Sequence, residues 1–347
     1  MTQVVLATTA RSRGGVLRHV LDLARGLAAA GRPVAVALDG AADGPRADAS
    51  AAGVEVRSLE RIPAGVLHVH LANTFDARAT TLMLRHRRRG PVVLTEHLPR
   101  TNASDPSLLP GGRTPGAAAA KDLFKLAQYR TADHVIAVGA SSAAFMRRWR
   151  PRAISIVRNG LAPESQPVLP PAGDLHLVTI GTLNVQKGHD VLIDALRRAR
   201  SPWRATFVGE GPQRAGLEEM AAEVGADRVR FAGWQDEPAT TVATASLVCM
   251  PSRWESFPYA ALEAGLWGRA LLATAVDGPD EIVDPGVSGT LVPPEDSAAL
   301  ADALDRLAGD PPALADMGAR ARERVSAHYR LDAMIRQTAE VYDRVAR

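Results

Sequence analysis

The sequence predicts an α/β protein of two doubly wound domains, and three observations carry that expectation. Short apolar runs alternate with amphipathic helical patterns along the chain, a proline-rich stretch divides it near the middle, and 347 residues suffice for two domains of ordinary size. Strands alternating with helices build parallel sheets covered on both faces.

Val4–Thr8 is the first apolar run, after which Val16, Val20, Leu23 and Leu27 recur at helical spacing until Gly31 ends the helix. Segments 33–38, Val66–Leu71, 92–95 and 134–138 are the later strand candidates of the first half. Pro163, Pro167, Pro170 and Pro171 mark a linker, because helices and interior strands tolerate proline poorly. The second series has strands at Leu175–Ile180, 205–208, 229–231, Leu247–Met250, 270–273 and 290–292. Its helices fall at 190–200, 213–224, 258–265, Ser297–Ala308 and 312–328. A last helical pattern covers Leu331–Val345. The expected domains are therefore 1–162 and 173–328, followed by a separate helix over 329–347. Doubly wound sheets bind ligands at the carboxyl ends of their strands, so the cleft between two such domains is the expected site.

Composition narrows the function classes. With 46% hydrophobic and 23% charged residues the chain can bury a core in each half. A net charge of +3 is too mild for a nucleic-acid binder. Cys249 is the single cysteine, so neither an intrachain disulfide nor a cysteine metal site can form. It sits in an apolar run and reads as a buried strand residue. The N-terminus lacks the pattern of a signal peptide, and no apolar run approaches the roughly 18 residues of a membrane span. The cytoplasm is the expected compartment.

The chemistry concentrates in Met250-Pro-Ser-Arg-Trp-Glu-Ser-Phe-Pro-Tyr-Ala-Ala-Leu-Glu-Ala264. A strand ends near Met250, and a helix starts near Pro258, since proline suits the first helical position. The free N–H groups around Ser256, Phe257 and Tyr259 make an anion site. Glu263 follows about five residues into the helix, roughly 8 Å along its axis at ~1.5 Å per residue. A diphosphate at the helix start would place ribose hydroxyls near Glu263, with Glu255 facing the group on the far phosphate.

Three other segments support that reading. Ile180-Gly-Thr-Leu-Asn-Val-Gln-Lys-Gly-His189 is a strand, a glycine turn and a lysine ahead of a helix, a setting in which Lys187 supplies point charge to a phosphate. Val208-Gly-Glu-Gly-Pro212 is a glycine-rich strand exit that lets backbone approach a flat ligand. The third is 276–283 followed by 286–293.

In this order, residues 175–295 resemble the retaining glycosyltransferases of family 4, which have the GT-B architecture. Glu255 and Glu263 fit that family's E-x7-E signature. Gly14 and Gly15, ahead of an amphipathic helix, resemble its first loop, which approaches the donor diphosphate. Segments 132–138 and 156–160 resemble its interdomain approach, and the last helix resembles the segment that crosses back onto the first domain.

The resemblance implies a metal-independent hexosyltransferase that uses a nucleotide diphosphate sugar, with UDP-sugar favoured, and retains anomeric configuration. No cofactor beyond that donor is implied. Lys187 would neutralise the diphosphate, Glu263 would hold ribose hydroxyls and Glu255 would contact the donor sugar. Gly209, Glu210 and Trp234 would flank the base. Thr182, Arg253, Ser256, Phe257, Pro258 and Tyr259 complete the donor set. His97 of Thr95-Glu-His97 stands where the family places an active-site histidine. In one respect the chain departs from the family. Thr182 stands where an arginine usually follows the glycine, so Arg253, Arg158, Arg11 or Arg13 is expected to replace its charge.

The acceptor, a hydroxyl of a lipid or polysaccharide precursor or of a secondary metabolite, is expected on the first domain. Its candidate contacts are His70, Asn73, Glu96, Arg100, Thr101 and Asn102, with the long polar stretch 99–116 as a lid. His68 and His70 share one strand face and, with Glu96 and His97, raise a metal reading, but no metal is expected. The chain contains no D-x-D pair. Arginines at 85–89 and 147–152 serve either as helix-end cations or as a contact for an anionic membrane surface. Two competing readings are a non-catalytic nucleotide-sugar-binding subunit, which Thr182 suggests, and a GT-B epimerase.

Overall fold

The computed structural model describes residues 2–10, 14–39, 43–51, 53–71, 76–99, 117–162, 174–225, 227–235 and 238–347. The linker prolines and residues 100–116 of the expected lid lie outside the described residues. The chain divides into two compact units, Met1–Gly160 with Leu331–Arg347, and Leu161–Arg330.

Unit 1 runs β1 (Val4–Thr8), α1 (Gly15–Ala29), β2 (Val34–Leu38), α2 (Asp43–Ala51), β3 (Glu55–Ser58), β4 (Val66–Leu71), α3 (Ala77–His86), β5 (Val92–Glu96), α4 (Ala117–Thr131), β6 (His134–Ala137), α5 (Ala140–Met146) and β7 (Ile154–Ile156). Its seven strands are parallel in the order β3-β2-β1-β4-β5-β6-β7. The central strands β1 and β4 are buried along their whole length, which is why they are mostly apolar, with His68 and His70 as the polar residues of β4. β3 and β7 escape the sequence pattern because they are short edge strands, partly exposed and mostly polar or flanked by polar residues.

Unit 2 runs β8 (Leu175–Ile180), α6 (His189–Arg198), β9 (Trp203–Val208), α7 (Arg214–Gly225), β10 (Val229–Gly233), α8 (Ala239–Ala243), β11 (Leu247–Met250), α9 (Tyr259–Leu266), β12 (Ala270–Thr274), α10 (Pro279–Ile282), β13 (Gly289–Val292), α11 (Ser297–Ala308) and α12 (Pro311–His328). The order of its parallel sheet is β10-β9-β8-β11-β12-β13. Leu177, Phe207, Leu247 and Leu272 from the strands pack with Leu192 and Leu196 of α6 and Leu300 and Leu304 of α11. Cys249 is buried in β11, and burial pushes its thiol pKa up.

The last helix, α13 (Leu331–Val345), belongs to unit 1. Met334, Val341 and Tyr342 share one core with Leu17, Val20, Leu23 and Leu27 of α1. Each is at most 3% exposed, which for large apolar side chains contributes about 1.5–3 kcal/mol apiece. No helix among the described residues is long and apolar enough to cross a membrane.

Candidate functional site

In unit 2 the chain winds outward from β8 through β9 to β10, then crosses to β11 and winds the other way. The crevice between β8 and β11 is therefore the switch point, where two strand-exit loops part and leave room for a ligand. The loop after β8 closes with a 3-10 turn over Val185–Lys187, whose last N–H donates to the Asn184 side chain at 3.2 Å. Gly188 then takes φ 61 and opens α6. Glycine is required there twice over: the backbone is left-handed, and a Cβ would lie 2.1 Å from the Pro251 carbonyl oxygen. That close approach seats the loop after β8 on the loop after β11.

The same contact brings Lys187 and Glu255 together. Lys187 Nζ donates to Glu255 Oε1 at 2.6 Å, and the Ser252 hydroxyl donates to the same oxygen at 2.8 Å. Glu255 and Ser252 are buried, while Lys187 keeps partial access to solvent. Ser256 and Phe257 are buried too, and Phe257 meets Tyr329 edge-on at 5.4 Å. α9 begins at Tyr259, so Pro258 is its cap, with φ −74 and ψ 132, rather than its first helical residue. Glu263 is half-buried on α9.

The exits of β8, β9 and β10 are laced by backbone hydrogen bonds. Gly181 N–H donates to Val208 at 3.0 Å, Leu183 N–H to Glu210 at 3.0 Å, and Gly209 N–H to Gly233 at 2.8 Å. Gly209 has φ 144, and a Cβ on it would sit 2.0 Å from the Gly181 carbonyl oxygen. The lacing places Gly209 and Glu210 in one row with Trp234, which is 47% exposed. The Glu210 carboxylate pairs with Arg214 of α7. Thr182 is exposed at the start of the loop.

Arg253 corrects the sequence expectation. Its guanidinium donates to both Asp190 carboxylate oxygens at 2.8 and 2.7 Å, to the Val185 carbonyl at 2.7 Å and to Glu295. A fork held on two carboxylates and a carbonyl is not available to replace the arginine that Thr182 displaces. The bonds to Asp190 push the Arg253 pKa above its ordinary range and pull that of Asp190 below its own against the opposing effect of burial. Arg253 thus ties the two loops and β13's exit together. Arg11 and Arg13 lie outside the described residues, and Arg158 is half-buried in unit 1.

In unit 1 the switch point falls between β1 and β4. Gly14 caps α1 in extended conformation, and among the described residues a Cβ on it would meet nothing within 4 Å; Gly14 and Gly15 are both exposed. The loops after β1 and β4 are joined by the Thr9 hydroxyl, which donates to Asp76. Three imidazoles gather beside this crevice: His19 from α1, His70 from β4, and His97 after β5. His70 Nδ1 and His97 Nε2 are 3.3 Å apart, and His19 Nδ1 lies 2.9 Å from Asn159 Oδ1. Burial pushes the pKa values of His70 and His97 well below the ordinary histidine value, and neighbouring imidazoles lower them further. Burial also takes His19 down to about 4, against the raising effect of Asn159.

The structure separates the expected acceptor and metal residues. Glu96 is 1% exposed, bonded by Lys125 Nζ at 2.6 Å and by the Tyr129 hydroxyl. Its carboxylate stands in the interior of unit 1 and does not face an acceptor. His68 also drops out, because its Nδ1 meets the Tyr342 hydroxyl at 2.6 Å and its Nε2 the Thr95 hydroxyl at 2.7 Å. Asn73, Arg100, Thr101 and Asn102 lie outside the described residues. Sequence reasoning missed His19, Asn159, Asp190 and Tyr342. His19 had a signal: it follows Val16 by three residues and so lies on the apolar face of α1.

Two sequence families match this chain. Residues 13–165 match the model described as Glycosyltransferase Family 4, and residues 174–310 the one described as Glycosyl transferases group 1. The chain carries a family 4 glycosyltransferase domain followed by a group 1 glycosyl transferases domain. The group 1 match covers the whole sheet of unit 2, and the family 4 match covers β2 to β7 of unit 1. Among relatives of this glycosyltransferase chain, a glycogen synthase of Mycobacterium tuberculosis is 31% identical over 198 residues, 54% of this chain and 48% of that protein. A D-inositol 3-phosphate glycosyltransferase of Frankia alni is 41% identical over 155 residues, 40% of this chain and 38% of the relative. The chain thus spans about half the length, or less, of these relatives.

The solved structures of Anabaena Alr3699/HepE in complex with UDP-glucose and of TarM share the fold. The first has a TM-score of 0.79 at 20% identity, covering 99% of this chain and 100% of that one. The second has a TM-score of 0.81 at 10% identity, covering 99% of each chain. The architecture is GT-B, as the sequence resemblance implied.

Proposed function

We propose that this chain transfers a hexose from a nucleotide diphosphate sugar, a UDP-sugar by preference, to a hydroxyl acceptor with retention of configuration. The observation that carries the reading is the Lys187–Glu255 contact at the switch crevice of unit 2, 2.6 Å long and built from two loops. Lys187 exchanges part of that bond for a phosphate oxygen of the donor, and Glu255 turns a lone pair to a sugar hydroxyl. The N–H groups that open α9 add donors to the diphosphate. Glu263 takes the ribose hydroxyls, and the base lies against Gly209, Glu210 and the exposed ring of Trp234. Charge on the leaving diphosphate is met by Lys187 and helix dipole without a D-x-D metal anchor. UDP-glucose in the Alr3699/HepE structure supports the choice of nucleotide.

The acceptor binds unit 1, with His97 as the group that contacts the reacting hydroxyl. The acceptor attacks from the face the diphosphate leaves and passes its proton to a phosphate oxygen. Leu84 and Leu123, 56% and 68% exposed on α3 and α4, stand among the arginines of unit 1 and support peripheral contact with an anionic membrane.

The test is a panel of UDP-, GDP- and ADP-sugars with donor breakdown followed by mass spectrometry. Breakdown of one donor, lost in Lys187→Ala and Glu255→Ala, is the expected result. Tight binding without breakdown would assign the non-catalytic subunit instead, a reading that Thr182 favours. Appearance of an isomeric nucleotide sugar would assign an epimerase.

A further inference from the structure

We propose that unit 1 binds a divalent transition-metal ion of the zinc class on His19, His70 and His97. The inference shares His97 with the proposed transfer reaction, but it rests on separate observations and its test reads ion binding alone. One nitrogen from each ring lies within 4.8 Å of the others. The 3.3 Å between His70 Nδ1 and His97 Nε2 already equals the separation, about 3.3 Å, of two nitrogens on a tetrahedral ion with bonds of about 2.0–2.1 Å. Closing the third side takes a shift on the order of 1.5 Å. His97 is half-buried, so it can make part of that shift and leaves the ion a way in.

The chemistry of the three rings suits the ion. Asn159 Oδ1 can only accept, so it holds the His19 proton on Nδ1, the tautomer that coordinates through Nε2. His70 is fully buried, and among the described residues its Nε2, the nitrogen not paired with His97, has no hydrogen-bond partner. The contrast with His68 is informative: both of its nitrogens are engaged, by Tyr342 and Thr95. Four histidines meet at one crevice, and the one excluded from the set is the one the fold itself uses. Three histidine ligands without a carboxylate leave a fourth position for water or an anionic group.

The full chain, stripped with a chelator, is titrated with Co2+ and then with Zn2+. The expected result is the intense visible spectrum of tetrahedral cobalt, saturating at one ion per chain and bleached by Zn2+. His97→Ala, at a half-buried position, abolishes the spectrum while circular dichroism reports an intact fold. Asn159→Ala keeps all three ligands and weakens Co2+ binding about 10–100-fold. Absence of a tetrahedral spectrum in the wild type overturns the proposal. So does a spectrum of unchanged affinity in both His97→Ala and Asn159→Ala.

Discussion

Lys187 and Glu255, 68 residues apart in the chain, meet at 2.6 Å because Gly188 lets the loop after β8 touch the Pro251 carbonyl. The pair holds a cation at the mouth of the switch crevice, where it is partly open to solvent. Replacing Lys187 by alanine removes the charge proposed to meet the leaving diphosphate. Donor turnover is expected to fall by about 10²–10³. Steady-state kinetics with the donor found in the panel measure it, and a loss below tenfold would sink the assigned role.

Gly188→Ala tests the seat itself. A side chain there is forced into left-handed backbone and against a carbonyl oxygen 2.1 Å away. Strain and overpacking together are expected to cost about 2–4 kcal/mol. Urea denaturation reads the loss, and an unchanged midpoint would show that the loop re-seats at no cost.

Arg253→Lys separates tying from phosphate binding. Lysine keeps the charge but cannot bridge Asp190, Glu295 and the Val185 carbonyl at once. Stability is expected to fall by about 1–3 kcal/mol. Donor affinity, read by calorimetry, is expected to change less than threefold, and a larger fall would return Arg253 to the phosphate.

His189 makes unit 2 sensitive to acid. Burial takes its pKa down to about 3, and the charge of Lys187 adds to the effect. An unfolded histidine titrates near 6.5, so between about pH 6.5 and 3 the unfolded chain binds a proton that the folded chain refuses. Stability is whole above pH 6.5 and falls as pH drops, by up to about 1.4 kcal/mol per unit. His189→Leu removes this contribution. Between about pH 6.5 and 4.5 the variant is expected to lose about 2 kcal/mol less than wild type. Parallel denaturant titrations at the two pH values compare them, and equal losses would clear His189.

Thr182→Arg restores the charge that the family carries at this position. Thr182 is exposed, so the longer side chain fits without repacking. A few-fold tighter donor is expected, on the order of 1 kcal/mol. Calorimetry checks it, and no gain would mean that the phosphate is already neutralised.

Much of this protein was legible locally. The alternation of apolar runs and helical patterns announced two parallel sheets, because a strand buried on both faces must be apolar throughout. Glycine turns after strands marked Lys187 and Gly209, and a strand end ahead of a proline-marked helix start marked the region around Glu255, because a strand exit next to a helix start is a local pattern. Edge strands β3 and β7 were silent because their exposed sides relax that pattern.

Side-chain partnership was decided only by tertiary structure. Arg253 reads as a free cation until Asp190 of α6 and Glu295 beyond β13 arrive, 63 and 42 residues away. Glu96 reads as a cleft carboxylate until α4 supplies Lys125 and Tyr129. His68 and His70 are alike in sequence, yet α13 brings Tyr342 to the first, from 274 residues away, and leaves the second to His97. The physical reason is the range of the forces. Burial against the nearest sheet sets the local period of the chain, so sequence reports it. A hydrogen bond needs two groups within about 3 Å, and which groups meet depends on the order of the strands.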